Sequence, residues 1–561
     1  MFVKESWNTK AKERKKQYHI VEAYRDEDGV PRHRYLLNIT SLPKNVIDAI
    51  KKSLKGKTVT SLKDVGIDRD DQVSGAGHVA LYKLWRDFDF DKLLKELTEA
   101  QRQSAFAMVS QRVFEPSSKN SLKGWLEGNL FHKIFSATRV DEDELYHVMD
   151  LIYNNFYKIQ KRLVKRHVIS ETLVLYDMTS TYFEGRKADG AEYGYSRDHR
   201  SDRYQIVIGL ICNEQGIPVS VEVWPGNTTD KETVKEQVAL LREKFGLRNV
   251  IFVGDKGMYT RSNIDDIVDN GFDYIISTQW QTQREQLLKR SPQQMDLFDK
   301  QNVVGWRDGD KRYVGCTSKW RKQRAKKRRQ ESMIESNKKL RKVQKTAVTG
   351  KYYTQETLSI KINEIVKRYG VKDLWEIKFS KVDKEAGIKD KTKFDIKLNI
   401  NIEGVRRRKK IEGKYVLQTS IPEEDMDDEK IQKKYKMLSK VERAFRNIKS
   451  FLKIRPVYHY KDRRIKAHVL ICFLAYYIVK RAEILLREKE IDRETVDVLK
   501  DWNKLTLGRI SLNIPGESLD NWGWNCGEVG AKVVSEIKKV GWWRSIQAYK
   551  RSLVKKIEES S

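Results

Sequence analysis

Between residues 172 and 280 short apolar runs alternate with helical ones in a fixed order, and that order constrains the fold more than any other feature of the chain. LVLYD is a short apolar strand, and YQIVIGLICNE and IPVSVEVWPG are longer strand-like runs separated by a Gln-Gly turn. DKETVKEQVALLREKF has the spacing of a helix, after which NVIFVGD, RSNIDDIVDNG and DYIIST read as strand, helix and strand. The first and fourth strands are apolar at consecutive positions, as in strands covered on both faces. The order β-β-β-α-β-α-β predicts a mixed α/β sheet.

The flanking segments have other periods. Residues 1–60 form an N-terminal β-module, in which HIVEAYR and RHRYLLNIT flank the turn DEDGVP. Residues 61–168 form a helical domain, since VALYKLWRDF, FDKLLKELTEAQRQSAFAMVSQRVF and DELYHVMDLIYNNFYKIQKRLVKR place apolar residues every three to four positions. The core begins at 169–280 and is interrupted at 281–430 by a large insertion, where FDIKLNINI and KYVLQTSI alternate like strands. It resumes at 431–490 with two helices, roughly 430–453 and 463–487, the second apolar on nearly every side; 491–561 is a C-terminal region.

The chain of 561 residues carries 111 Lys and Arg against 79 Asp and Glu, a formal charge of +32. With 39% hydrophobic residues it can build real cores, which excludes a disordered basic tail. The excess is uneven: residues 171–280 are net −6, while 281–360 carry +13 and 431–490 carry +12. A polyanion is the partner such charge implies, and an acidic centre flanked by basic blocks suits a carboxylate site acting on it. Cys212, Cys316, Cys472 and Cys526 stand apart, with no C-x-x-C pair, so neither a disulfide framework nor a zinc site is encoded. The N-terminus lacks the apolar region of a secretion signal, and the longest apolar run, Ala467 to Val479, falls short of the ~20 residues of a membrane span. A soluble protein of a reducing compartment is expected.

Three carboxylates carry the chemistry. Asp177 ends the first strand and Asp255 the fourth, and strand ends face the crevice where ligands bind in α/β folds. Glu442 lies in YKMLSKVERAFRNIKSFLKI, where Tyr435, Glu442 and Lys449 are spaced by seven and share a helix face with Leu438 and Phe445. A Glu in an apolar stripe is costly to bury unless it binds a cation or is paired; the alternative is an i,i+4 pair with Arg446. Three such carboxylates can hold two hard cations, and Mg²⁺ suits an all-oxygen site.

These residues sit in longer motifs: YDMTSTYFEG, GYSRDHRSDRYQIVIGL, VWPGNTTD, VGDKGMYT and YKMLSKVERAFRNIKSFLKIRPVYHYKDRRIKAHVLICFLAYYI. In that order they resemble the DDE transposases of bacterial insertion sequences, in the insertion-sequence-four superfamily and its sixteen-thirty-four-type group, over roughly residues 15–480. The resemblance implies an RNase H-like catalytic core, interrupted by a β-rich insertion, with Asp177, Asp255 and Glu442 as catalytic metal ligands for two Mg²⁺ ions that Mn²⁺ can replace. The family's tyrosine-arginine-glutamate-lysine pattern falls on Tyr435, Leu438, Glu442 and Lys449; Leu438 departs from it, and Arg443 or Arg446 stands in for the missing arginine. Lys256 and Gly257 follow the second Asp where related branches have Arg-Gly.

The implied activity is hydrolysis at the element's ends followed by joining of the 3′-OH to target DNA. The implied partners are double-stranded DNA, as terminal inverted repeats and as target, and a second copy of the chain on that DNA. No membrane or nucleotide cofactor is involved, since no P-loop or Gly-rich dinucleotide motif occurs, and the expected location is the cytoplasm, at the nucleoid. The rival readings are a catalytically idle DNA-binding derivative and an RNase H-like structure-specific nuclease. Arg197, Arg200 and Arg203 in YSRDHRSDRYQ form a phosphate clamp or else a solvated turn paired with Asp198 and Asp202, and His199 is not read as catalytic. Lys319 to Lys345, with 13 basic and 2 acidic residues, reads as a DNA-contacting helix, and Arg455, Arg463, Arg464 and His468 are similarly placed after the Glu442 helix. Trp522, Trp524, Trp542 and Trp543 read as a small C-terminal core.

Overall fold

The computed structural model describes residues 1–8, 15–26, 28–55, 73–127, 141–168, 173–185, 188–258, 260–289, 302–348, 354–382, 393–514, 517–525 and 530–560. The chain forms two compact units, each assembled from separate stretches: unit 1 is Met1–Ile169, Met178–Thr228 and Lys440–Ser561, and unit 2 is Ser170–Asp177 and Thr229–Ser439.

Unit 1 begins with an antiparallel sheet ordered β1 (Phe2–Asn8), β2 (Lys15–Arg25) and β3 (Pro31–Asn38). β2 and β3 occupy the segments expected as strands, and Asp26 tightens their turn by accepting from the Val30 amide at 2.8 Å. β1 is an addition to that expectation. After the two-residue β4 (Val73–Ser74) come helices Ala76–Asp87, Glu99–Phe114, Glu142–Asn154 and Phe156–His167. Thr98 and Gln101 start the second with a reciprocal capping box. The last two break at Asn155, whose side-chain amide bonds the Leu151 carbonyl at 3.0 Å. The second half of β5 (Leu173–Tyr182) also belongs here, with the hairpin of β6 (Gln205–Cys212), buried along its whole length, and β7 (Pro218–Pro225). The helix Asp462–Glu488 is buried without a break from Ala467 to Lys480, and packs on Glu99–Phe114 and Glu142–Asn154. Among the described residues no helix is long and apolar enough to cross a membrane.

Unit 2 is built on a large mixed sheet. β8 (Ile251–Gly254) runs parallel between the first half of β5 and β9 (Asp273–Ser277), the connections passing through helices Asp230–Ala239 and Arg261–Asp269. Antiparallel strands extend it from β9: β14 (Lys414–Thr419), β11 (Lys311–Thr317) and β10 (Val303–Asp308). Helix Lys319–Ala347 and helix Gln355–Arg368 close a separate core with the hairpin of β12 (Trp375–Val382) and β13 (Lys393–Ile400), built on Leu340, Leu358 and Phe394. At the C-terminus of unit 1, β15 (Thr506–Ile514) pairs with β16 (Glu517–Asn525), which carries Trp522 and Trp524, and Trp542 is buried edge-on against Trp502 at 5.9 Å. Cys212, Cys316 and Cys472 are buried and form no disulfide among the described residues, and Cys526 lies outside them.

Five expectations need correction. β5 does not end at Asp177 but continues to Tyr182, because Thr179 and Thr181 are β-branched and extend the strand. The insertion at 281–430 is not β-rich: its longest elements are helices of 29 and 14 residues, where unbranched Lys, Arg and Gln favour helix, and three of its strands join the main sheet. The expected helix over 430–453 is two, Asp428–Lys436 and Ser439–Arg446, separated by a tight turn in which the Leu438 amide bonds the Tyr435 carbonyl. A π-helical turn, Asn447–Phe451, then changes the pitch, so Tyr435, Glu442 and Lys449 do not form one stripe. Glu442 is not an inward position either. The buried face of its helix is Val441, Ala444 and Phe445, and Glu442 is exposed one residue away.

Candidate active site

In unit 2 two carboxylates follow a pair of parallel strands. β5 and β8 pair with Leu175 opposite Val253; Asp177 lies two residues further along β5, and Asp255 lies two residues after Val253, just past the end of β8. β8 stops at Gly254, and the single 3₁₀ turn Lys256–Met258 bends the chain back so that the Gly257 amide donates to Asp255 Oδ1 at 2.7 Å. That fixes the Asp255 carboxylate. A Cβ on Gly257 would lie 2.9 Å from Asp230 Oδ2 and 3.0 Å from Asp255 Oδ1, so a third carboxylate stands beside the second Asp. Next to Asp177, the buried Tyr176 hydroxyl donates to Thr233 Oγ1 at 2.9 Å, tying β5 to the helix that Asp230 begins. Asp177 and Asp255 are both half-buried and offer hard oxygen donors, which fit a divalent cation such as Mg²⁺. Among the described residues no three His, Cys, Asp or Glu side chains are gathered into a ready metal site.

Unit 1 holds Glu442 and most of the basic candidates. Glu442 and Arg446 are exposed, and Glu442 makes no hydrogen bond or ion pair with another described residue, so the i,i+4 pair is not formed. Arg443 bonds Glu494 at 2.9 Å and approaches Glu483 at 3.7 Å, which occupies it as a stand-in for the missing arginine. Lys449 donates to Asp198 Oδ1 at 2.7 Å, and burial lowers its pKa from the usual lysine value although Asp198 opposes the shift. Arg200 forks onto Asp202 at 2.8 and 2.9 Å, and this bond lowers the Asp202 carboxyl to about 2. Arg203 pairs with Glu184 at 3.2 Å and Asp202 at 3.4 Å. The turn is therefore internally paired at Arg200 and Arg203, as the solvated alternative expects, but Asp198 reaches across to Lys449 rather than to a neighbour. Arg463 and Arg464 meet Asp150, Arg463 staying exposed, and His468 is buried in the helical core.

Tyr435 lies in unit 2, its ring 6.0 Å from Tyr415. The basic helix Lys319–Ala347 exposes Lys319, Arg321, Lys322, Arg324, Lys326, Lys327 and Arg328, while Arg329 is buried on Glu412, at 2.5 Å from its Nε. Asp198 and Asp230 were not singled out as site residues from sequence; Arg455 was, as a DNA contact, and it meets the Asp198 carboxylate.

Residues 170–478 match the transposase DDE domain, more than half of the chain. The chain belongs to the DDE transposase family. Residues 3–62 match the N-terminal domain of IS1634-family transposases, which places the transposase in that group. It is thus a DNA transposase, a metal-dependent endonuclease and strand transferase. No curated protein matches the sequence. Among solved structures, the piggyBac transposase synaptic complex with hairpin DNA is 11% identical with a TM-score of 0.36, over 72% of this chain and 70% of that one. The Mos1 transposase paired-end complex with left transposon end is 15% identical with a TM-score of 0.14, over 30% of this chain and 57% of that one.

Proposed function

We propose that this transposase cuts the terminal inverted repeats of an insertion sequence by hydrolysis and joins the freed 3′-OH to target DNA, with Asp177, Asp255 and Glu442 as its metal-binding carboxylates on an RNase H-like core. The observation that supports this reading is the parallel pairing of β5 with β8, from whose last paired residues, Leu175 and Val253, Asp177 and Asp255 each follow by two. Glu442 enters through the family motif and is exposed, able to ligate without breaking another contact. Two Mg²⁺ ions, or Mn²⁺ in their place, would supply an activated attacking oxygen and a stabilised leaving oxygen for in-line phosphoryl transfer. The chain's own groups hold the DNA. Lys449 offers its ammonium to a phosphate beside the scissile bond, and Arg197 and Arg446, with Tyr435, contact the neighbouring backbone. Arg200 and Arg203 serve this role only by exchanging their carboxylate partners for phosphate. The exposed face of Lys319–Ala347 follows the DNA backbone, and the sheet β1–β3 with the helices after it reads the terminal repeats. The enzyme acts as a dimer on DNA, in the cytoplasm at the nucleoid.

Asp177→Asn, Asp255→Asn and Glu442→Gln test the site. Each is expected to abolish Mg²⁺-dependent cleavage of a duplex carrying the element's own ends, while end binding and circular dichroism stay unchanged. Cleavage by any one of the three folded variants at the wild-type rate removes that residue from the site.

A further inference from the structure

The Asp198 carboxylate comes from a turn 251 residues away from Lys449. One of its oxygens takes both the Lys449 ammonium, at 2.7 Å, and the Arg455 guanidinium. Its other oxygen, Oδ2, is buried without a hydrogen-bond partner among the described residues. The side chain is 4% exposed and that of Lys449 12%, so charge has been taken out of water on both sides. A buried ion pair is a poor device for stability alone, because desolvation offsets most of its attraction and an apolar pair would hold the turn as well. It does fix where a charge sits. Lysine's four-carbon stem otherwise leaves its ammonium free among many rotamers.

The turn is built to present that carboxylate. The Arg197 amide donates to Oγ of the buried Ser180 on β5 at 2.9 Å, and the Arg200 amide to Ser196 Oγ at 3.0 Å. His199 is held at φ 56°, a conformation that side-chain-bearing residues seldom adopt, and its cost is borne by these bonds. On the other side, Lys449 belongs to the π-helical turn that directly follows the Glu442 helix, and it lines a small cavity together with Phe445, Ile448 and Phe473. Carboxylate, ammonium and guanidinium thus form a cluster with one acid and two bases, whose remaining positive charge suits a phosphate.

We propose that Asp198 is a positioning residue for DNA cleavage: its carboxylate fixes the Lys449 ammonium beside Arg455 at the end of the Glu442 helix, and it acts on the reaction through Lys449. This rests on the reading of Lys449 as a phosphate contact. The full-length protein is assayed with a duplex carrying the terminal repeat taken from the DNA flanking its reading frame, for end binding and for single-turnover cleavage in Mg²⁺. Asp198→Asn keeps the side-chain volume and removes the charge; it is expected to slow cleavage about 10- to 100-fold, with the binding constant within roughly threefold of wild type. Lys449→Met is expected to slow cleavage to the same extent, and the double variant to be no slower than either single one. Asp198→Glu is expected to recover part of the rate.

Wild-type cleavage by Asp198→Asn overturns the proposal, as do losses that multiply in the double variant, or a parallel fall of binding, cleavage and thermal midpoint. If Asp198→Asn is normal while Lys449→Met is slow, only the positioning role falls. If Lys449→Met cleaves normally, the phosphate role of Lys449 falls and takes the positioning role with it.

Discussion

At Gly257 there is space for a hydrogen and little more, because the Asp230 and Asp255 carboxylates converge on it. Its backbone is not in the left-handed region, so alanine is excluded by contact rather than by torsion. Gly257→Ala is expected to push Asp255 aside and slow cleavage at least about tenfold, while the urea midpoint changes little. An unchanged cleavage rate would show that the Asp255 carboxylate tolerates displacement. The positions of Asp177 and Asp255 beside paired strands were legible because each closes an apolar run whose strand character is local. Asp230 was not, since an Asp opening a helix reads as a favourable first-turn charge. Asp198 was hidden by its own surroundings: SRDHRSD offers near partners on both sides, and nothing in the sequence points to a lysine on another segment. Glu442 was singled out through its motif, but its helix face was misjudged from its periodicity, a stripe counted at 3.6 residues per turn across a break and a π-turn.

Elements were legible where their signal was local. β5, β6, β7, β8 and β9 with their two helices follow the order read from the sequence, because covered strands and amphipathic helices differ in period. The joining of β14, β11 and β10 to the sheet was not, since pairing partners such as Leu417 and Ser277 lie far apart in the chain. The helix Lys319–Ala347 shows both sides of this. Its charge announced a helix, while its anchoring through Leu340, Val343 and the Arg329–Glu412 pair depends on tertiary packing. Only its second half joins that core; in the first half Arg329 is held by Glu412 and Lys322 lies against Gly413, while Lys326, Lys327 and Arg328 are exposed. Replacing Lys326, Lys327 and Arg328 by Gln is expected to weaken DNA binding without changing the thermal midpoint. The plot of log affinity against log salt should flatten by up to about 0.9 for each phosphate that is no longer neutralised. An unchanged slope would show that this face does not touch DNA.

At the scale of the whole molecule, unit 1 contains several histidines that burial keeps neutral. Burial lowers His78 to about 3, and His167 and His459 to about 4. Unfolded histidine takes up a proton near pH 6.5, so between that value and about 4 the unfolded chain binds protons the fold refuses. Stability that is fully present above pH 6.5 therefore falls on acidification, by at most about 1.4 kcal/mol per pH unit for the fully buried His78 and less for the partly exposed pair. Urea titrations at pH 7 and pH 5 should show a lower midpoint at pH 5; equal midpoints would mean the imidazoles are protonated in place. The division into two units has a further consequence, in time rather than in space. Unit 2 has all of its residues once Ser439 has been added, whereas unit 1 still lacks Lys440–Ser561. A ribosome paused after Ser439 would carry a nascent chain whose later-starting unit is already complete. The apolar faces of Glu99–Phe114 and Glu142–Asn154 would still be open, waiting for a helix not yet translated.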